Sequence, residues 1–313
     1  MTRDPIKNIA VVGAGTMGHA LALIFAQHGY QVRIWSLYQN ELDRAADLIE
    51  SALNSLIISG QIHEEKRPGT IRRISYSTNL EVVADNADFI LEAVSENLEI
   101  KKELFSRLGK ICSEQTIFAS NTSGLNIFEM TEISHPERLI ITHWFSPPTL
   151  VPLVEIIPGP KTSEEVISTT VALLEGMGKK TVRLKKFIPS FIVNRIQNAI
   201  NKVMLEMIDN DWATPEDIDT AIKYTLGVRL PVVGIAQSLD FAGLDLIQSV
   251  MKQNGINSHF LEKKVADGDL GIKSLKGIYN YKDRQETEIL EKRDNLYIKI
   301  REFLEELDVF KPV

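Results

Sequence analysis

The chain has 313 residues, a formal net charge of −7 at pH 7 and a single cysteine. This length suits two domains with a substantial core, and the acidic balance argues against a nucleic-acid partner, which needs clustered Lys and Arg to neutralise phosphates. One cysteine excludes an internal disulfide and is typical of a reducing compartment, while no apolar run reaches the length of a membrane span. We therefore expect a cytoplasmic protein that binds neither nucleic acid nor membrane and holds no metal.

The first motif along the chain is Gly13-Ala14-Gly15-Thr16-Met17-Gly18, between an apolar run at 9–12 and a helix-like stretch at 19–28. In a strand–turn–helix setting, the first glycine allows a tight turn and the second lets the backbone approach a pyrophosphate. The third glycine lets the helix pack closely on the strand. A glycine turn that only joins two elements is the alternative interpretation. The setting favours a dinucleotide site.

The end of the second predicted strand, at 31–35, departs from the usual dinucleotide pattern. A carboxylate that accepts hydrogen bonds from the adenine ribose is expected there, and this chain has Ser36. A serine can hydrogen-bond the ribose without repelling a 2′-phosphate. Arg33 or Arg44 could supply the cation that NADP needs, although Arg33 could equally face solvent. The sequence thus favours NAD and leaves NADP open.

Strand-like and helix-like segments alternate through the first half of the chain, which predicts a parallel sheet covered on both faces. Further strands are predicted at 74–77, 89–94, 116–119, 139–142, 150–157 and 181–184, with helices at 99–112 and 163–177. Past residue 188 the pattern is helical only. An apolar stripe at 289–307 either packs on its own domain or contacts a second subunit. The predicted fold is α/β, with a Rossmann-type doubly wound sheet domain at 1–187 followed by an all-helical domain at 188–313.

Polar residues follow the predicted strands where a ligand is expected, because open α/β sheets bind ligands beyond the carboxyl ends of their strands. One strand ends at Ser120-Asn121-Thr122-Ser123, and the next ends at His143. A Pro147-Pro148 turn then returns the chain and can bring Glu155 beside His143. Asn194 stands at the start of the first long helix of the second domain.

This set of residues suits the oxidation of an alcohol by hydride transfer. Free histidine titrates near neutral pH, so His143 can remove the hydroxyl proton. A carboxylate behind it fixes the tautomer and stabilises the imidazolium, and a serine and an asparagine can hold the reacting oxygen. Taken singly, each residue has a simpler interpretation: a structural or surface histidine, a solvated Glu155 on a strand, and a helix cap at Asn194.

Several spaced segments together resemble the 3-hydroxyacyl-CoA dehydrogenase family over nearly the full chain. They are the glycine motif, 91–97, 120–123, His143 with Glu155 twelve residues later, 191–195 and 277–281. The resemblance implies His143 as the base, Glu155 as its partner, Ser123 and Asn194 as contacts of the substrate oxygen, and a helical domain that forms a homodimer. The predicted cofactor-binding residues are Gly13, Gly15, Thr16, Met17, Gly18, Ser36, Glu96, Lys101, Asn121 and Lys273.

Departures from the family pattern concern the substrate more than the reaction. Members that bind CoA carry a serine and a lysine on the helical excursion after the second strand, where an ungapped match puts Ala52 and Ser59. The segments 194–197 and 226–234 look more like the gulonate and carnitine dehydrogenase branch. There, Arg229 could bind a free substrate carboxylate by two parallel hydrogen bonds, or it could be a surface charge at a helix end.

The leading interpretation is an enzyme that transfers hydride reversibly between NAD(P) and the 3-hydroxyl of an L-3-hydroxyacyl-CoA or a related 3-hydroxy acid. A free hydroxy-acid dehydrogenase of the gulonate or carnitine type is the alternative. Enzymes of the 6-phosphogluconate dehydrogenase type share the architecture, but they use a lysine as the base. A crystallin-like structural protein and a nucleotide-sensing module are the non-enzyme alternatives. The presence of both His143 and Glu155 argues against these last three.

Overall fold

The computed structural model describes residues 5–130 and 133–310. The chain divides into two compact units, and the division along the sequence falls between Ala199 and Ile200. This division lies inside a helix, Val193–Asp209, that begins in the first unit. The predicted domain boundary near residue 187 stays a prediction.

The first unit is built on one eight-stranded sheet. The strands are β1 (Asn8–Val12), β2 (Gln31–Trp35), β3 (Ile74–Ser77), β4 (Phe89–Glu92), β5 (Ile117–Ser120), β6 (Leu139–Trp144), β7 (Leu153–Pro158) and β8 (Lys180–Arg183). Their order across the sheet is β3-β2-β1-β4-β5-β6-β7-β8. Neighbouring strands are parallel, apart from the antiparallel pair β6 and β7. The sheet is therefore mostly parallel, where the sequence predicted a parallel one.

Helices cover both faces of this sheet. They are α1 (Gly18–Gln27), α2 (Gln39–Ile58), α3 (Arg67–Ile71), α4 (Leu80–Ala84), α5 (Leu98–Ile111), α6 (Ile127–Met130) and α7 (Glu164–Gly176). Alternate residues of β1 enter different cores, because successive side chains of a strand point to opposite faces. Val11 packs in the core that contains Phe25 of α1, and Val12 packs in the core that contains Phe105 of α5. The doubly wound Rossmann-type fold is confirmed.

Several strand ends differ from the prediction by one to three residues, and two of these differences have identifiable reasons. β4 ends at Glu92 rather than at Val94, because the Val94 N–H donates to the Glu92 side chain instead of continuing the ladder. β7 begins at Leu153 rather than at residue 150. The N–H groups of Leu150 and Val151 both donate to the Pro147 carbonyl in the turn that precedes the strand.

The strand order reverses beside β1, which pairs with β2 on one side and β4 on the other. At such a switch point the loops after the two central strands diverge and leave a crevice at the carboxyl edge of the sheet. A cleft of about 590 Å³ lies there, lined by Gly13 from the loop after β1 and Ala93 from the loop after β4.

The described part of the second unit is mainly helical, with two isolated β-bridges between residues 271 and 280. Its helices are the remainder of α8 (Val193–Asp209), then α9 (Pro215–Tyr224), α10 (Leu226–Ala242), α11 (Leu244–Gln253), α12 (His259–Ala266) and α13 (Glu286–Glu306). Buried Asp240 accepts hydrogen bonds from the N–H groups of Ile278 and Tyr279 and from the Tyr281 hydroxyl. One carboxylate thus organises the Gly277–Tyr281 segment. Burial, together with the hydrogen bond to Asp240, raises the pKa of Tyr281 to about 12.

The apolar stripe predicted at 289–307 lies on α13. Its start is packed, since Ile289 is buried against Ile272, whereas Phe303 remains 55% exposed. Within the described residues no single helix is both long and apolar enough to span a membrane. The sharply bent pair α10 and α11 reaches that length and composition only when the two helices are taken together.

Candidate active site

The glycine loop has the shape that a dinucleotide phosphate requires. Gly13 adopts a φ of +114°, and a Cβ on it would lie 2.5 Å from the Ala93 carbonyl oxygen. A Cβ on Gly18 would lie 1.7 Å from the Gly13 carbonyl oxygen, so α1 can approach the loop only with glycine there. Nothing lies within 4 Å of a Cβ built on Gly15, whose backbone faces open space. Gly15 therefore leaves room for a ligand, while the other two glycines close the turn.

The neighbouring residues complete a site that fits NAD. Gly13, Gly15 and Thr16 line the cleft, whereas Met17 packs against the core and precedes α1 without a side-chain cap. Uncapped N–H groups and the helix dipole favour an anion at this end of α1. The donor set of the loop thus fits the pyrophosphate of a dinucleotide.

The end of β2 differs from the arrangement expected from the sequence. Ser36 lines the cleft, but it is only 3% exposed and its hydroxyl donates to the carboxylate of Glu41. Sequence reasoning missed Glu41, which also lines the cleft. Arg33 is a poor candidate for an NADP cation, because its guanidinium donates to the carbonyls of Val82 and Asp85.

A buried charge network follows β4. The Lys101 ammonium lies 2.5 Å from a Glu92 oxygen and 3.3 Å from a Glu96 oxygen. Burial raises the pKa of Glu92, and Lys101 and Ser120 offset this effect only in part. Lys101, predicted beside the cofactor, is itself buried and forms ion pairs with both carboxylates. We interpret Lys101 as a support for the wall of the cleft, and its predicted cofactor role stays a prediction.

Glu96 links this network to the loop after β5. Its carboxylate accepts hydrogen bonds from the Thr122 hydroxyl at 2.6 Å and the Ser123 N–H at 2.8 Å. Burial alone would raise the pKa of Glu96, but Thr122 and the charge of Lys101 lower it below its usual value. Asn121 accepts a hydrogen bond from the Trp144 N–H, which ties the end of β5 to β6. These contacts fix the backbone on which Ser123 stands.

His143 and Glu155 face each other in the antiparallel register of β6 and β7. The Nδ1 atom of His143 lies 2.8 Å from a Glu155 oxygen, and both side chains are buried. An ionised carboxylate only accepts, so Nδ1 carries the proton and Nε2 keeps its lone pair. The rings of Phe145 and Phe191 pack against the imidazole. The histidine is therefore held in one tautomer and one orientation.

The second oxygen of Glu155 is also occupied, which the sequence did not indicate. It accepts hydrogen bonds from the N–H groups of Ile192 and Val193, each at 2.9 Å, at the start of α8. Helix N-terminal N–H groups favour a negative charge. The carboxylate behind His143 is thus supported from two directions.

Asn194, the next residue of α8, lies beside the imidazole of His143. Its side-chain nitrogen lies 3.5 Å from His143 Nε2 and 3.5 Å from the Ser123 carbonyl oxygen. The first unit therefore brings together His143, Glu155, Ser123 and Asn194, while their individual roles stay predictions.

The two remaining predicted residues lie in the second unit. Lys273 is paired with Asp245, its Nζ lying 2.6 Å from both carboxylate oxygens. Arg229 is exposed on α10, and among residues 5–130 and 133–310 no carboxylate forms an ion pair with it. The cofactor role of Lys273 and the substrate role of Arg229 stay predictions.

Comparison with known proteins identifies the family. The model of the 3-hydroxyacyl-CoA dehydrogenase NAD-binding domain matches residues 8–187, and that of the C-terminal domain matches residues 191–281. The chain belongs to the 3-hydroxyacyl-CoA dehydrogenase family. As in that family, it is an NAD-dependent oxidoreductase.

Relatives include both thioester and free-acid enzymes. The chain is 31% identical to 5-formyl-3-hydroxy-2-methylpyridine 4-carboxylate 5-dehydrogenase of Mesorhizobium japonicum, covering 96% of this chain and 99% of the relative. It is 33% identical to 3-hydroxyadipyl-CoA dehydrogenase of Escherichia coli, covering 90% of this chain and 60% of that longer protein. The 3-hydroxyacyl-CoA dehydrogenase structure from Archaeoglobus fulgidus superposes with a TM-score of 0.78 at 28% identity, over 95% of this chain and 99% of that one.

Proposed function

We propose that this enzyme oxidises a 3-hydroxyl group to a ketone with His143 as the base, and that it runs the reverse reaction as well. The observation that carries the proposal is the buried pair of His143 Nδ1 and Glu155, 2.8 Å apart, at the end of β6. Bound NAD supplies the hydride acceptor for this chemistry. The pair leaves Nε2 as the atom that takes the hydroxyl proton.

The surroundings of the His143–Glu155 pair suit the transfer of a proton to and from Nε2. Protonation at Nε2 makes an imidazolium, and the Glu155 carboxylate stabilises its charge. The N–H groups of Ile192 and Val193 donate hydrogen bonds to that carboxylate and hold it in place. The Asn194 amide lies 3.5 Å from Nε2, which supports its proposed role in holding the substrate oxygen, and exposed Ser123 can contribute its hydroxyl.

An L-3-hydroxyacyl-CoA is the leading substrate class, and a free hydroxy acid is the second candidate. The second candidate is supported by α2, where Ala52 packs against the core and the Ser59 hydroxyl donates to the Leu56 carbonyl. Neither residue offers a basic group to CoA. Exposed Arg229 suits a carboxylate, a group that the name of the Mesorhizobium relative contains.

A substrate panel tests these assignments. NADH formation is measured with 3-hydroxybutyryl-CoA, 3-hydroxybutyrate, gulonate and carnitine. If Arg229 binds a carboxylate, Arg229→Lys raises KM for the free acid and changes the thioester reaction much less, because lysine cannot form two parallel hydrogen bonds. Arg301→Lys on α13 is the control and leaves both unchanged. Turnover of the thioester alone would contradict the free-acid candidate, and no turnover of any hydroxy substrate would contradict the proposed reaction.

The assembly is proposed to be a homodimer. Support comes from α8 and α9, in which no residue is buried although both carry large apolar side chains such as Val203 and Ile222. Light scattering with size-exclusion chromatography decides between one and two subunits. The cytoplasmic location inferred from the single cysteine likewise stays a proposal.

A further inference from the structure

We propose that Glu41, positioned by Ser36, binds the adenine ribose and makes the site select NAD over NADP. The usual carboxylate at the end of β2 is replaced here by Ser36, which carries no charge. The Ser36 hydroxyl donates to the Glu41 carboxylate, and both residues line the cleft that holds the glycine loop. Glu41, five positions further along the chain, therefore supplies the negative charge that is expected at the end of β2.

The local fold explains why α2 can supply this carboxylate. The chain leaves β2 at Trp35 and enters α2 at Gln39, so Glu41 lies in the first turn of the helix. A carboxylate is favoured there by the helix dipole. Ser36 is 3% exposed, so its hydroxyl is a fixed donor that restrains a longer side chain. One hydrogen bond leaves the carboxylate with further lone pairs for the two ribose hydroxyls.

The cleft also contains a cation that would favour NADP. Arg44 lines the cleft three residues after Glu41, and a guanidinium is the group that usually binds the 2′-phosphate of NADP. The Glu41 carboxylate repels that phosphate, since like charges brought together at a binding site are strongly unfavourable. Removing the carboxylate should therefore leave Arg44 to attract NADP.

The variant Ser36→Asp distinguishes this arrangement from one in which Ser36 itself contacts the ribose. A serine that itself contacts the ribose would make the aspartate variant more selective for NAD. Because Ser36 instead restrains Glu41, the variant puts a second carboxylate at a buried position, directly beside the exposed carboxylate of Glu41. We expect Ser36→Asp to weaken the binding of both dinucleotides.

The test is equilibrium binding of NADH and NADPH, followed by fluorescence, without any hydroxy substrate. We expect wild type to prefer NADH, and Glu41→Gln to move the NADPH-to-NADH affinity ratio toward NADPH by about tenfold or more. Arg44→Met added to Glu41→Gln removes that gain. Ser36→Ala moves the ratio in the same direction by less. Asp43→Asn is the matched control on the same helix; Asp43 bonds Gln39 rather than Ser36, and its variant leaves the ratio unchanged.

An unchanged ratio in Glu41→Gln, or a wild-type preference for NADPH, would overturn the inference. Circular dichroism melting of each variant separates a binding effect from a folding defect, and the Ser36→Ala ratio provides a second reading if Glu41→Gln folds poorly. The inference extends the proposed dehydrogenase function to the choice of cofactor. Because the titration needs no turnover, a failed substrate panel would leave the affinity ratios interpretable, and the two proposals can fail separately.

Discussion

Two buried carboxylates stand near the carboxyl edge of the sheet, and their partners differ. Glu155 on β7 and Glu92 on β4 are both 0% exposed, and each pairs with a basic side chain, at 2.8 Å and 2.5 Å respectively. Glu155 faces an imidazole with a second nitrogen that keeps a lone pair. Glu92 faces the Lys101 ammonium, whose other contacts are Glu96 and the Val94 carbonyl.

The difference shows that burial and pairing alone do not make a proton-transfer site. An ammonium has three donors and no acceptor, so Lys101 offers no atom that could take up a proton. The His143–Glu155 pair retains an acceptor in Nε2, beside Asn194. We therefore interpret the Glu92 pair as a support for the cleft wall and the Glu155 pair as the site of chemistry.

The most damaging change for catalysis should be His143→Gln. Glutamine can still hydrogen-bond Glu155, but it cannot accept a proton near neutral pH. We expect turnover to fall by a factor on the order of 10² to 10⁴, the usual share of a general base, with NADH affinity nearly unchanged. Steady-state rates and NADH titration check this expectation. Turnover within a factor of about two of wild type would remove His143 from the mechanism.

Lys101→Met should instead act on stability. The variant leaves Glu92 buried without its counter-charge, and such a loss costs about 3–5 kcal/mol in the free energy of unfolding. The double variant Lys101→Met/Glu92→Gln should recover much of this loss, because no fully buried charge is then left unpaired. Glu96 also loses Lys101, but it keeps its hydrogen bonds from Thr122 and Ser123. Urea unfolding measures the free energy of unfolding of the single and the double variant. A single variant as stable as wild type would contradict the structural interpretation of this pair.

The sheet and the His143–Glu155 pair were predictable from the sequence, because strand ends and turns are encoded by neighbouring residues. The alternation of elements, the glycine loop and the return of the chain at Pro147 indicated the Rossmann-type sheet and the meeting of His143 with Glu155. The partners of Glu155 at Ile192 and Val193 lie 37 and 38 residues away, a distance that no periodicity encodes.

Glu41 was missed for a different reason. It stands five residues past the position where the dinucleotide pattern places a carboxylate, and only the path of the chain from β2 into α2 brings it back to Ser36. The sequence did offer a signal: a serine follows β2, and an acidic residue stands in the first turn of the next helix.

A smaller effect is expected from Asn194→Ala, which removes one hydrogen-bonding group beside His143 Nε2. The loss of a single hydrogen bond of about 0.5–1.5 kcal/mol corresponds to a decrease of about 2- to 13-fold in kcat/KM. Stability should change little, because Glu155 rather than Asn194 accepts the first N–H groups of α8. Asn198→Ala, one turn further along and exposed, is the kinetic control. An equal decrease in both variants would indicate a general effect on α8.

The most direct test of the contrast is the pH dependence of kcat/KM in Glu155→Gln. Without the carboxylate the imidazolium that forms on proton transfer is less stable, so we expect the acidic limb of the kcat/KM profile to move to lower pH. The double variant Lys101→Met/Glu92→Gln should keep the wild-type limb. Coincident limbs in wild type and Glu155→Gln, or an equal shift in the double variant, would contradict the assignment of proton transfer to the His143–Glu155 pair.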